Sequence, residues 1–267
     1  MTLLISWIGV DDNRDGKKPA SLYIASDSRF SWSDSERYES GVKTFGCSNF
    51  PEIFGFCGDV LLPTILLNGL VSQIDAGLLF NIEHSAKEKR DIIENTIKKS
   101  LNSYPKDKTT GQFTILYGTR IETKFHCYEF RFNIKDGFHA KELILPNQST
   151  IIFSGGSGSP EFDANFVSYK GNKENNSRTS RGVYHCLTKT LYEIKDKRTG
   201  NIPQILGLYR NSNRKLYGII SRGKRYINGF EAKSNINLEG IEWRNENFER
   251  VNPQNLKLLD GAQRQPF

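Results

Sequence analysis

The chain has 267 residues, 37 Lys+Arg against 30 Asp+Glu and a formal net charge of +7; that length supports one large or two small domains. Hydrophobic residues at 37% and aromatics at 12% are low for a core yet well above what a disordered chain carries. The longest apolar stretch, Val60 to Val71, already holds Pro63, Thr64, Asn68 and Gly69, whereas a span needs about 20 apolar residues, so a membrane helix is excluded.

Leu3 to Val10 is β-branched and aromatic and reads as a buried strand, followed by a turn-rich Asp11–Gly16. Ser21–Ser26 completes a hairpin, and Gly41–Cys47 and Ile53–Cys57 follow as short strands. The period then changes: Leu61 to Gln73 suits a buried helix with Pro63 in its first turn. Ser85–Tyr104 is amphipathic, with Ser85 and Glu88 spaced as a capping box, Ile92, Ile93, Thr96, Ile97 and Leu101 as its apolar stripe, and Pro105 ending it.

Phe113–Tyr117, Thr123–Asn133, Leu143–Leu145 and Ile151–Phe153 are predicted strands, the last running into Ser154-Gly155-Gly156-Ser157-Gly158-Ser159. Pro160–Tyr169 reads as a short helix, Gly171–Ser180 as a polar connector and Arg181–Lys195 as a third clear helix. Gln204–Arg210 and Lys215–Ser221 form a hairpin across Asn211-Ser212-Asn213, and two or three short strands remain beyond it. Helices do not alternate singly with strands, so paired sheets with helices outside fit better than a doubly wound parallel sheet.

Cys47, Cys57, Cys127 and Cys186 form no C-x-x-C pair. His126–Cys127 and His185–Cys186 are neighbours in sequence, and neighbours on a strand point to opposite faces, which makes poor zinc chelates. With no basic leader, and with Asp11-Asp12 ending the apolar start too early for a secretory segment, free thiols in a cytoplasmic protein are expected. No phosphate-loop, H-E-x-x-H or G-x-S-x-G pattern is present.

The start of the chain carries its own chemistry. Threonine follows Met1, and removal of that methionine would leave Thr2 with a nucleophilic hydroxyl beside a free α-amine. Such an amine has a pKa of about 7.7–8.0 and is a usable base at neutral pH. Ala25-Ser26-Asp27-Ser28-Arg29 ends the second strand, Lys43 lies on the next strand pair, and Gly55-Phe56-Cys57-Gly58-Asp59 leads into a helix. With Gly156-Ser157-Gly158-Ser159 and Asp196-Lys197-Arg198-Thr199-Gly200, these ordered motifs resemble the proteasome β-type family of N-terminal-nucleophile (Ntn) hydrolases, in the form of a bacterial proteasome-like threonine peptidase. The resemblance runs from Thr2 to Ser221.

It implies an α+β fold, a four-layer αββα sandwich of two antiparallel sheets flanked by helices. It also implies a domain over residues 1–222, with 223–267 as a C-terminal extension. It implies that Thr2 is the nucleophile, that Lys43 lowers the pKa of the Thr2 hydroxyl, and that Asp27 holds Lys43 protonated. Ser157, Asp196 and Thr199 would orient the α-amine, Gly58 would supply the oxyanion N–H, and Arg29 would support the site. Phe30, Phe56 and Val60 would line an apolar pocket for the substrate side chain before the scissile bond. The implied function is threonine-type endopeptidase cleavage of peptide or unfolded protein, without metal or organic cofactor, in a ring-shaped homo-oligomer served by an ATP-dependent unfoldase.

Thr199 stands where the family's pattern has serine, Cys57 adjoins the oxyanion glycine, and Asp11–Ala20 lengthens the first hairpin. Three alternatives stand beside this reading: a non-catalytic proteasome-like scaffold, which would tend to lose Thr2 or Lys43; an amidase acting on a small molecule; and a basic nucleic-acid-associated protein. The last draws on charge. Gly171–Phe267 holds 18 Lys/Arg and 9 Asp/Glu, a net +9, while the first 170 residues carry 19 against 21, a net −2. The catalytic set reaches the basic third only at Asp196 and Thr199, so nucleic acid is disfavoured and the charge reads as an outer surface for an acidic partner.

Overall fold

The computed structural model describes residues 2–13, 16–81, 83–105, 111–171, 178–233 and 240–264. Met1 and most of the expected Gly171–Ser180 connector lie outside them. The first hairpin is longer than the expected turn allows: β1 (Leu4–Asn13) pairs with β2 (Gly16–Asp27) as far as Asn13 opposite Gly16. A short ribbon, β3 (Phe30–Ser31) with β4 (Arg37–Tyr38), precedes β5 (Thr44–Gly46) and β6 (Glu52–Gly58). Helices α1 (Leu61–Asp75) and α2 (Ala86–Ser103) follow. The capping box is in place: Ser85 N–H donates to Glu88 Oε2 at 2.8 Å and Glu88 N–H to Ser85 Oγ at 3.3 Å.

Strands β7 (Gln112–Ile121), β8 (Lys124–Asn133), β9 (Gly137–Glu142) and β10 (Thr150–Gly155) come next. The predicted strand at Leu143–Leu145 is irregular backbone instead, and the strand lies just before it, in β9. Helices α3 (Ser159–Gly171) and α4 (Ser180–Glu193) lead to the hairpin β11 (Pro203–Tyr209) and β12 (Ser212–Ser221). Three short strands close the chain, β13 (Lys224–Ile227), β14 (Phe230–Glu231) and β15 (Glu242–Arg244).

The larger sheet has eight strands in the order β10-β1-β2-β11-β12-β13-β14, with β15 joining β12 in parallel. The second, β5-β6-β7-β8-β9, has five strands, and β3-β4 forms a third. The four-layer αββα sandwich of two antiparallel sheets is therefore corrected to a sheet-rich architecture of three sheets, 39% strand and 25% helix, with four helices among the described residues. The extra strands come from the Phe30–Tyr38 ribbon and from segments after Ser221 that add to the free edge of β12.

Alternation along β1 sorts its side chains between two cores. Ile5 and Trp7, with Leu3 just ahead of the strand, pack with Phe162, Val183 and Leu187 of α3 and α4. Leu4 and Ile8 face Ile53, Leu116 and Cys127 of the five-stranded sheet. The far side of that sheet packs Phe54, Ile115 and Tyr117 against Leu67, Ile74, Ile93 and Ile97 of α1 and α2. The start of β1 is thus gripped on both faces. That grip places Thr2.

Candidate active site

Thr2 is only 1% exposed and lies two residues before β1. Leu3 N–H donates to Asp27 Oδ1 at 2.9 Å, while Leu3 O accepts from Asp27 N–H at 3.2 Å and from Ser26 Oγ at 3.0 Å. The first hairpin therefore locks the chain start to the end of β2. Asp27 is fully buried and its carboxylate accepts three further hydrogen bonds, from Lys43 Nζ at 2.9 Å, Arg29 N–H at 2.9 Å and Gly200 N–H at 2.7 Å. Four donors compensate one buried charge, as such a charge requires.

Lys43 is 1% exposed and sits just before β5. Its backbone is held on both sides: its N–H donates to Gln204 Oε1 at 2.9 Å and its carbonyl accepts from Phe56 N–H at 3.1 Å. Its ammonium bridges Thr2 Oγ1 and Asp27 Oδ1. Burial pulls the Lys43 pKa below the usual lysine range, and the charge and hydrogen bond of Asp27 oppose that pull. Asp27 so keeps a cation beside the Thr2 hydroxyl in a place that disfavours one.

A second group lies on the carbonyl side of Thr2. Ser157 Oγ and Thr199 Oγ1 both donate to Asp196 Oδ2, at 2.6 and 2.7 Å. Burial raises the Asp196 pKa, but these hydroxyls, the Arg198 N–H and the Arg198 charge outweigh it and hold the carboxyl below the usual range. Gly158 N–H donates to Thr2 O at 3.2 Å, and a Cβ on Gly156, whose φ is +94°, would stand 2.0 Å from that same oxygen. The Gly-Ser loop can approach Thr2 only with glycine at that position. Arg29 ties the two groups together, donating to Lys197 O and Thr199 O at 2.8 Å each and pairing with Glu39 at 2.8 Å.

Gly58 ends β6 with φ +99°, and a Cβ there would meet Gln112 O at 2.5 Å. Its neighbour Cys57 is buried, which pushes the thiol up to about 11. Phe56 is 1% exposed, with its ring in the core between Phe45 and Phe30. Phe30 and Val60 are half-buried, and the Phe30 ring centroid lies 5.8 Å from Lys43 Nζ.

A cavity of about 370 Å³ opens between Gly58 and Ser157, and Gln112, Thr114, Arg131 and Asn133 line it. These four are paired as Gln112–Asn133 and Thr114–Arg131 on β7 and β8, so they share one sheet face. The period-2 spacing of Gln112 with Thr114 and of Arg131 with Asn133 was present in the sequence, but the register that pairs the two strands was not. Gln204 was missed as well. Its buried amide donates to Asp27 O, Ser28 Oγ and Gly41 O and accepts from Lys43 and Thr44; in sequence it reads only as a polar break in a strand.

No family model matches this chain, and no curated protein matches it. Among solved structures it is similar to Anbu (ancestral beta-subunit) from Yersinia bercovieri, at 13% identity with a TM-score of 0.52, over 78% of this chain and 82% of that one. An Anbu (Gly-1) mutant from Hyphomicrobium sp. strain MC1 aligns at 9% identity with a TM-score of 0.48, covering 80% of this chain and 82% of that one. The expected membership of the proteasome β-type Ntn hydrolase family is thereby corrected: the likeness found is one of fold alone, to the Anbu (ancestral beta-subunit) structure. The physical reason is that short motifs at matching order specify a local arrangement, while at 13% identity the rest of the chain is free to diverge. No described helix is long and apolar enough to cross a membrane.

Proposed function

We propose that the chain is an N-terminal threonine hydrolase that cleaves peptide bonds through Thr2 once Met1 has been removed. One observation carries this reading: the buried Lys43 ammonium is hydrogen-bonded to both Thr2 Oγ1 and Asp27 Oδ1. A buried ammonium has three N–H donors to satisfy, and the acceptor it finds beside Asp27 is the hydroxyl of Thr2, the group that would become the nucleophile.

In this mechanism the Thr2 hydroxyl gives its proton to the freed α-amine while Oγ1 attacks the substrate carbonyl carbon. Lys43 stabilises the developing alkoxide by its charge. The Gly58 N–H is the donor assigned to the tetrahedral oxyanion; the next one, of Asp59, is already given to Gln112 O at 2.8 Å. As the intermediate collapses the C–N bond breaks, the leaving amine takes the proton, and Thr2 carries the acyl group as an ester. Water, deprotonated by the Thr2 α-amine, then attacks the ester; the ester C–O bond breaks, the acid leaves, and the proton passes from the α-amine to Oγ1, restoring Thr2. Ser157, Thr199 and Asp196 set the polarity around the amine.

The test is hydrolysis of fluorogenic peptide amides by purified protein. Thr2→Ala should abolish turnover and Thr2→Ser should retain part of it. Turnover by Thr2→Ala equal to that of the parent would refute the reading.

A further inference from the structure

Five cations of the basic C-terminal third, Arg178, Arg181, Arg210, Lys215 and Arg244, gather around a cavity of about 690 Å³ that Asp11 also lines. The cavity lies at the far end of the first hairpin, beside Gly9 and Ser21, seven residues along β1 from Thr2 and so about 23 Å away at roughly 3.3 Å per residue. Its volume suits a small molecule.

The counter-charges do not balance the cations. Glu242 is shared between Lys215 and Arg244. Arg210 Nη2 stands 3.5 Å from Asp11 Oδ2 without a hydrogen bond, and Arg210 Nε donates to the carbonyl of Pro19 at 2.9 Å. Arg181 Nη1 reaches only a neutral group, Gln263 Oε1, at 2.5 Å. The Nε atoms of Arg181 and Arg244 are buried without a hydrogen-bond partner among the described residues. Burial and the nearby Arg244 charge pull the Arg181 pKa down, and Glu249 only partly offsets them. Among the described residues, five cations against Asp11, Glu242 and Glu249 leave a surplus of two positive charges. Buried unpaired guanidinium N–H groups are costly, and planar forks match phosphoryl oxygens.

We propose that this cavity is a binding site for a compact phosphorylated anion, with two linked phosphoryl groups as the smallest ligand that spans the cations. One phosphoryl group carries about −1.5 to −2 charges, and a linked pair answers the surplus across more of the volume. The site is separate from Thr2, so it stands or falls independently of the proposed hydrolysis.

The experiment is isothermal titration of the full chain with sodium pyrophosphate, orthophosphate and sulfate at matched low ionic strength. Saturable one-to-one binding of pyrophosphate, tighter than that of orthophosphate or sulfate, is expected. Arg210→Gln and Arg181→Gln should each weaken it about tenfold, the loss of one charge-assisted hydrogen bond, with the melting temperature of the unliganded protein unchanged. Should either variant melt early, Arg178→Gln, at an exposed residue lining the same cavity, gives the same reading without the folding cost. Absence of saturation at millimolar pyrophosphate, equal binding of all three anions, or undiminished binding by the folded variants would overturn the proposal.

Discussion

Lys43→Met tests the site through folding as well as through turnover. Methionine keeps most of the volume and makes no cavity, so its effect isolates the charge. Asp27 would then be a fully buried carboxylate left with three backbone donors, Leu3, Arg29 and Gly200, and no counter-ion. Breaking a buried pair from one side costs about 3–5 kcal/mol, a large share of a domain's typical 5–15 kcal/mol.

Asp27→Asn removes the other partner and sets an amide N–H against one of those donors. It also takes away the group that holds up the Lys43 pKa, which burial already lowers. The sign follows from linkage. A lysine whose folded pKa lies below its unfolded value binds fewer protons when folded, so the stability of Asp27→Asn should rise with pH from that folded pKa towards 10.5. The double variant should recover part of the loss, with a coupling of about 2–3 kcal/mol. Urea unfolding of the parent, both single variants and the double variant measures all of this. A Lys43→Met loss under about 1 kcal/mol, the range of an exposed pair, would refute the reasoning.

Two further outcomes follow from the geometry. Asp196→Asn should lower stability by a constant amount at neutral pH, and the gap to the parent should close as pH falls through and below 3.8, the ordinary aspartate value, because the hydrogen-bonded carboxylate stabilises only while ionised; urea midpoints across pH measure it, and a gap widening towards acid would contradict it. Arg131 is the charged side chain lining the cavity between Gly58 and Ser157 among the described residues, so peptides placing Glu there should be cleaved faster than those placing Lys. Arg131→Gln should erase most of that difference, roughly tenfold for one lost charge-assisted contact, and an unchanged ratio in kcat/KM would contradict the assignment.

Strong local patterns made much of the chain legible. The alternation of Leu3 to Ile8 and the Ser85–Glu88 capping box each specify an element by themselves. β9 was missed because its apolar face is only Phe138 and Ala140, an alternation too short to stand out among Gly137, His139, Lys141 and Glu142. The number of sheets was misread because the third, β3-β4, is a ribbon of two-residue strands, and the width of the largest because the strands after Ser221, two to four residues long, owe their place to the edge of β12.

At the site, Asp27 and Lys43 were legible as an ordered pair of motifs. Gln204 and the Arg131 face were not, since their roles arise from pairing between strands distant in sequence. The basic cavity shows the same limit. Net charge located the cations in one third of the chain, but only the packing of α4, β12 and β15 near β1 gathers them.

The central claim is that Thr2 becomes an N-terminal nucleophile. Intact mass and peptide mapping of native protein, before and after exposure to an epoxyketone that reacts with N-terminal threonine, test it most directly. The account predicts a chain that begins at Thr2 and gains one inhibitor mass on that residue, with turnover lost in proportion. Active protein that keeps Met1, or an adduct on any other residue, would contradict it.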